Sequence, residues 1–135
     1  MNATSVDRIR RCYVQMTPHL PRILRDAYDQ LFAARPDLRP LFAGDMDAQR
    51  SHFAAALALI VRNLHMLDTL EPPLRELGAG HARVGVRPDH YRPLADAVVT
   101  AVARALPDAW SPELATDWHA LLATVSRHML AGARP

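Results

Sequence analysis

The sequence predicts an all-α fold of six main helices and one short turn. Three observations carry this prediction. Apolar residues recur at i, i+4 and i+8 along most of the chain, and prolines with N-cap residues punctuate them at helix-length intervals. No alternating apolar–polar run long enough for a strand interrupts the pattern. With 135 residues, half of them hydrophobic, the chain can bury one substantial core. The expected organisation is therefore a single domain over 1–135, with a core at about 5–130 and a frayed tail at 131–135.

The first helix is expected from about Ser5 to Thr17, with Ile9, Cys12, Tyr13 and Met16 facing inward. Pro18 and Pro21 mark the joint to a second helix carrying Ile23, Leu24, Ala27, Tyr28, Leu31 and Phe32. A tyrosine in such a stripe is ordinarily a core residue with its hydroxyl on a backbone carbonyl. Pro36 to Phe42 reads as a brief helical or 3₁₀ turn, broken by Ala43-Gly44. Asp45 is then a good N-cap. The helix it starts is expected to reach about Leu67 through Gln49, Phe53, Leu57, Ile60, Val61 and Leu64. A glutamine at a helix start is ordinarily solvated.

The next helix begins near Leu70, and Leu70, Leu74, Leu77 and His81 fall on one face of it. It is expected to end near Gly85. A histidine on an apolar face is most often a hydrogen-bonded core residue, but a neutral imidazole in an apolar pocket can also ligate a metal such as haem iron. Pro88 opens a fifth helix with Tyr91, Leu94, Val98, Val102 and Leu106. Ser111-Pro112-Glu113 opens the last, by an N-cap serine, a first-turn proline and a dipole-matched acid. That helix uses Leu114, Trp118, Leu121, Val125 and Met129 and is expected to fray by Gly132.

Composition narrows the partners. The net charge is +2, and all 16 basic residues are arginines scattered among 14 acids. No basic face with interleaved aromatics emerges, so nucleic-acid binding is not predicted. No run approaches the roughly 18 apolar residues of a membrane span. The first eight residues lack the apolar middle of a signal peptide, which predicts a cytoplasmic protein with no membrane partner. Cys12 is the only cysteine, so neither an intrachain disulfide nor a cysteine zinc site can form. A buried, inert thiol is expected. His19, His65, His90, His119 and His128 form no i, i+4 metal pair and read as surface or cap residues.

Taken together, Tyr28-Asp29-Gln30-Leu31-Phe32, the run from Pro36 to Phe42, and Leu77-Gly78-Ala79-Gly80-His81 with Gly85-Val86 resemble bacterial globins. The likeness is to the globin domain of flavohaemoglobins and to single-domain bacterial haemoglobins. Pro88-Asp89-His90-Tyr91 and the Trp-Ser-Pro-Glu start of the last helix fit as well. The resemblance spans about Ser5 to Met129 and implies a globin fold around haem b (iron protoporphyrin IX).

By that resemblance His81 matches the proximal iron ligand and Phe42 the phenylalanine that wedges the porphyrin. Tyr28 and Gln49 match the distal polar pair, and Phe53 the apolar residue above the iron. Leu57 and Val86 would help exclude water, while Tyr91 lies on the proximal side. Arg50 and Arg83 are candidate partners of the haem propionates. His52, three residues after Gln49, is weighed as a second iron ligand against a solvent-facing histidine. The latter is favoured.

The sequence also departs from the family. A glutamate late in the last helix commonly pairs with the tyrosine at Tyr91 and polarises the proximal histidine; here its position falls at about Ala133. Leu122 and Val84 each stand where a tyrosine is usual, and Gly78 with Gly80 should soften the proximal helix. A weaker proximal push favours reversible binding over O–O cleavage. The function implied is reversible binding of O2 and other diatomics such as NO or CO, for transport or storage, by a monomer or homodimer. Alternatives are an NO dioxygenase or other nitrogen-oxide-detoxifying globin, and a haem-based sensor or regulatory globin. The length leaves no room for a reductase domain, so the enzyme readings require an external reductase.

Overall fold

The computed structural model describes residues 1–134; Pro135, at the end of the expected tail, lies outside them. Six α-helices carry the fold, with no strand among the described residues: α1 (Ala3–Met16), α2 (Leu20–Ala34), α3 (Met46–Arg62), α4 (Glu71–Arg83), α5 (Tyr91–Ala105) and α6 (Pro112–Ala133). Short 3₁₀ segments join the first five, including the expected one at Pro36–Leu41. No single helix is long and apolar enough to cross a membrane.

The caps follow the residue chemistry. Asn2 accepts from the Ser5 N–H and starts α1 two residues before the expected position. Asp45 accepts from the Asp47 N–H at α3, and Ser111 from the Leu114 N–H at α6. Each satisfies a donor that the first helical turn leaves orphaned. Two boundaries differ from expectation. Helix α3 stops at Arg62, because Asn63 and Met66 leave helical geometry and a 3₁₀ stretch Leu64–Leu70 carries the chain to α4. Helix α6 does not fray by Gly132 but continues through Ala133.

Packing explains that extension. A Cβ on Gly132 would lie 1.9 Å from the Arg75 carbonyl oxygen, and one on Gly78 only 1.8 Å from that of Met129. Moving three residues forward on α6 moves three back on α4, the register of antiparallel helices. The two backbones therefore touch at two glycines, close enough for Cα–H···O=C contacts. Gly78 is a packing residue, and the expected softening of the helix does not apply there. By contrast, a Cβ at Gly80 would meet only the mobile tip of Arg83, at 3.5 Å.

The main core gathers Ile9, Met16, Ile23, Leu57, Val98, Val102 and Leu121 around the fully buried Trp118. Each such side chain contributes about 1.5–3 kcal/mol of transfer free energy. Cys12 is buried there, where desolvation raises its thiol pKa against the opposing Trp118 indole N–H. A second, smaller cluster joins Tyr28, Leu31, Leu38 and Ala97, flanked by Phe32, Leu41, Phe42, Met46 and Leu94. Buried Asp117 near the start of α6 accepts from the Arg8 Nε of α1 at 2.5 Å, which ties these two helices together.

Two stability outcomes follow. Gly78→Ala should lower stability by about 1–3 kcal/mol through forced helix separation, whereas Gly80→Ala should raise it by roughly 0.5–1 kcal/mol through helix propensity. Urea denaturation of both variants checks the contrast; equal effects would refute the close crossing. The Arg8 hydrogen bond also holds the Asp117 carboxyl below its ordinary pKa. Its contribution is therefore complete above the ordinary carboxylate value near ~4 and fades as pH falls through the lowered folded one. Denaturation midpoints between neutral and acid pH should fall less steeply in Asp117→Asn than in the wild type.

Candidate functional site

Helix α2 turns Tyr28 inward, where only 2% of its surface is exposed. Helix α3 starts at the Asp45 cap, and the Asp45 carbonyl accepts the Gln49 N–H at 3.1 Å. That anchors Gln49 in the first turn with its amide facing α2. Gln49 Nε2 donates to the Tyr28 hydroxyl oxygen at 3.2 Å. The glutamine is half-buried rather than solvated, and the tyrosine's partner is an amide rather than a backbone carbonyl. In this arrangement the phenol's own proton remains available to a further acceptor.

Aromatic rings surround the pair. Phe42 and Phe53 meet the Tyr28 ring edge-on at centroid distances of 5.6 and 6.2 Å, and Phe32 lies tilted at 6.1 Å. Phe32 and Phe42 are themselves T-shaped at 5.2 Å. Such pairs add about 0.5–1.5 kcal/mol each beyond area burial. Desolvation raises the Tyr28 pKa, while the Gln49 hydrogen bond and the Arg50 charge oppose the rise. The phenol is thereby kept as a neutral donor.

The histidine side is built by α4. His81 Nδ1 sits 2.8 Å from the Leu77 carbonyl oxygen one turn earlier. A carbonyl can only accept, so Nδ1 carries the proton and the Nε2 lone pair is left free for a metal. After His81 the helix closes in a Schellman motif: Val86 N–H donates to the His81 carbonyl and Gly85 N–H to that of Ala82. Gly85 makes this possible with φ of 101°, a conformation that costs a side-chain-bearing residue about 1–2 kcal/mol. The motif folds Val86 back over the turn that carries His81.

The expected apolar face of α4 divides in two. Leu70 and Leu74 are buried, but Leu77 is 42% exposed and lies with half-buried His81 along the helix edge. The close α6 crossing explains the split, since the buried face turns toward Gly78. The remaining sequence-derived residues fall in different places. Tyr28, Gln49, Phe42 and Phe53 come together. Leu57 is enclosed in the main core, with Phe53 and Tyr91 packed against it from outside. Val86 is half-buried beside the end of α4.

The charged candidates lie outside this cluster. Arg50 pairs with Asp47, while Arg83 and His52 are exposed. His65 meets Arg10, His90 accepts from the Arg87 N–H as a cap, and His119 lies 3.9 Å from Asp96. Phe32 and Arg39 are the residues that sequence reasoning left unassigned. Phe32 stands one helical turn after Tyr28, which was the available signal. Arg39 stands three residues before Phe42.

The globin family profile matches residues 25–129 of this chain, which spans α2 to α6 and every residue of the candidate site. The chain is a globin. Among its relatives, the flavohemoprotein of Bacillus subtilis (strain 168) is 24% identical over 117 residues, covering 84% of this globin and 29% of that protein. The flavohemoprotein of Rhizobium meliloti (strain 1021) is 24% identical, covering 76% and 26%. The globin thus spans less than a third of the flavohemoproteins it matches. The anaerobic nitrite reductase NSHB5 of Oryza sativa subsp. indica is 26% identical over 121 residues, covering 85% and 83%.

Family membership implies haem binding, and the residues present fit it. The candidate donor is the His81 imidazole, whose Nδ1 faces the Leu77 carbonyl and leaves Nε2 open, the kind of ligand a haem iron takes. The alternative of a multi-residue metal site finds no group of three His, Cys, Asp or Glu side chains among the described residues.

The Tyr28 environment makes a titration prediction. Tyr28 should ionise above the ordinary tyrosine range, near ~10. The Gln49 N–H favours the phenolate, so Gln49→Leu should push ionisation higher still. Ultraviolet difference titration, referenced to Tyr28→Phe, measures this. An ordinary value, or a downward movement in Gln49→Leu, would contradict the hydrogen-bond assignment.

Proposed function

We propose that this globin holds haem b through His81 and binds dioxygen and other diatomic gases reversibly. The observation that carries the proposal is the Tyr28–Gln49 pair: a phenol and an amide bonded to one another inside an aromatic cluster. When bound, haem would supply the iron chemistry that takes up a gas ligand. Around it, Phe42 would wedge the porphyrin and Phe53, Leu57 and Val86 would keep water out. Tyr28 and Gln49 would donate to a ligand that gains negative charge on binding. Such charge-assisted bonds contribute about 1.5–3 kcal/mol each, or roughly ten- to a hundredfold in affinity. A less polarised ligand such as CO would gain less.

On the opposite side His81 would be held by the Leu77 carbonyl, and no carboxylate among the described residues bonds to it. Without a carboxylate partner the imidazole would be less anionic, which favours binding over O–O cleavage. Tyr91 would pack beside it without the glutamate partner common in relatives. Arg50 and Arg83 would be candidate partners of the propionates. Exposed His52 is assigned to the solvent edge rather than to the iron.

A second reading is supported by the rice relative's name and its overlap with 85% of this chain. It is turnover of nitrogen oxides, by NO dioxygenation or nitrite reduction, with a separate reductase. The same Tyr28 hydroxyl would serve either role. Rapid re-reduction by cellular reductases would favour turnover, and slow re-reduction would favour simple binding.

Optical spectra of the ferric, ferrous and CO-bound protein test the proposal, with a five-coordinate ferrous form expected. His81→Ala should abolish stable haem retention, and Tyr28→Phe should speed O2 release roughly ten- to a hundredfold. Unaltered haem ligation in the first variant would remove the central assignment. A six-coordinate spectrum that disappears in His52→Ala would reassign His52 to the iron.

A further inference from the structure

The 3₁₀ turn Pro36–Leu41 delivers Phe42 to the aromatic cluster. Pro40 stands inside it without an N–H to give. Beyond Phe42 comes Ala43-Gly44, and a Cβ at Gly44 would meet nothing within 4 Å. A ring at such a break needs an external hold if it is to keep one orientation.

Arg39 supplies that hold from both sides. Its Nη1 donates to the Phe42 carbonyl oxygen at 2.6 Å. Its own carbonyl accepts the Phe42 N–H at 3.0 Å. The guanidinium lies over the Phe32 ring at 5.3 Å, and Phe32 in turn meets Phe42. Arg39 therefore grips the Phe42 backbone directly and its ring through Phe32. The start of the same turn is pinned separately, by Arg35 to Asp37 at 2.9 Å and to Asp89 before α5 at 3.6 Å.

We propose that Arg39 is a positioning residue that clasps Phe42 into the haem-facing wall and thereby sets how long haem is retained. The assignment rests on the haem reading above. Arginine suits the task because one planar, delocalised cation can stack on a ring and donate from its edge at once. Lysine, a compact and strongly hydrated point charge, can donate to the carbonyl but covers the ring poorly. The turn's geometry thus specifies this cation, and its charge alone is insufficient.

Two measurements test the clasp, one with haem and one without. In haem-loaded protein, transfer of haem to a scavenging apoprotein should be roughly tenfold faster or more in Arg39→Ala, the scale of one charge-assisted hydrogen bond plus one ring contact. Arg39→Lys should fall between that variant and the wild type. The urea midpoint of the haem-free protein should stay close to wild type in both. Haem loss unchanged in Arg39→Ala, or accelerated only in proportion to a fallen midpoint, overturns the proposal.

In haem-free protein, proton NMR should show Phe32–Phe42 and Tyr28–Phe42 ring contacts in the wild type and their weakening in Arg39→Ala. Their full retention overturns the clasp independently of haem. A wild-type protein that binds no haem would instead defeat the functional reading, leaving this second measurement to decide the clasp.

Discussion

The contact between the backbones of α4 and α6 constrains everything on the histidine side of this globin. Helices normally keep their axes 8–10 Å apart because side chains stand between them. Here Gly78 and Gly132 remove that spacer at two places one turn apart, and each lies against the opposite backbone. This fixes the axial position of α4 as well as its distance, because a slip along α6 would drive a side-chain-bearing residue into a carbonyl. Rotation is fixed too. With Gly78 pressed on Met129, the helix edge bearing Leu77 and His81 is left beside the crossing, outside the α6 contact. The orientation of the candidate ligand is thus a consequence of two hydrogen atoms where other residues carry methyl groups.

Tyr28 and Gln49 are placed by a different principle. No glycine crossing sets the α2–α3 relation there; a polar bond within an aromatic cluster does. Burying a phenol and an amide costs free energy unless each finds a partner, and pairing them meets part of that cost. The phenol still keeps a donor to spare. In a protein interior such a surplus donor is ordinarily unfavourable, so the local arrangement favours any bound species that can accept from it. Structural tension and ligand preference are the same fact seen at one atom.

What could be read from the sequence divides along this line. Periodicity and caps located all six helices, because they depend on residues within a turn or two of one another. The distal grouping emerged only through family resemblance; the i, i+4 rule that placed Tyr28 and Phe32 on one face says nothing of Gln49, twenty-one residues away. The end of α3 was overrun because the apolar pattern continues through Leu64 and Leu67, and periodicity cannot distinguish an α-helix from the tighter 3₁₀ path taken there. Gly78 and Gly132 were misjudged for a sharper reason. Helix propensity describes an isolated helix, whereas their role exists only against a partner backbone on another helix, Met129 for Gly78 and Arg75 for Gly132. Leu77 went wrong with them, since the crossing decides which edge of α4 is covered.

The two sides of the site consequently answer to separate parts of the molecule. Tyr28 and Phe42 belong with the smaller cluster, while Leu74 and Met129, which flank the glycine crossing, belong to the main core. A substitution among the aromatic residues can alter donor geometry without passing through the α4–α6 contact, and a change at the crossing can move His81 without touching the phenol. Phe53 and Leu57 on α3 are the link: Phe53 touches Tyr28 with its ring and packs on the main core, where Leu57 is enclosed one turn later. Mutations in α3 should therefore be the ones whose effects on the two sides are coupled, while changes at Arg39 and Gly78, which share no partner, should combine additively.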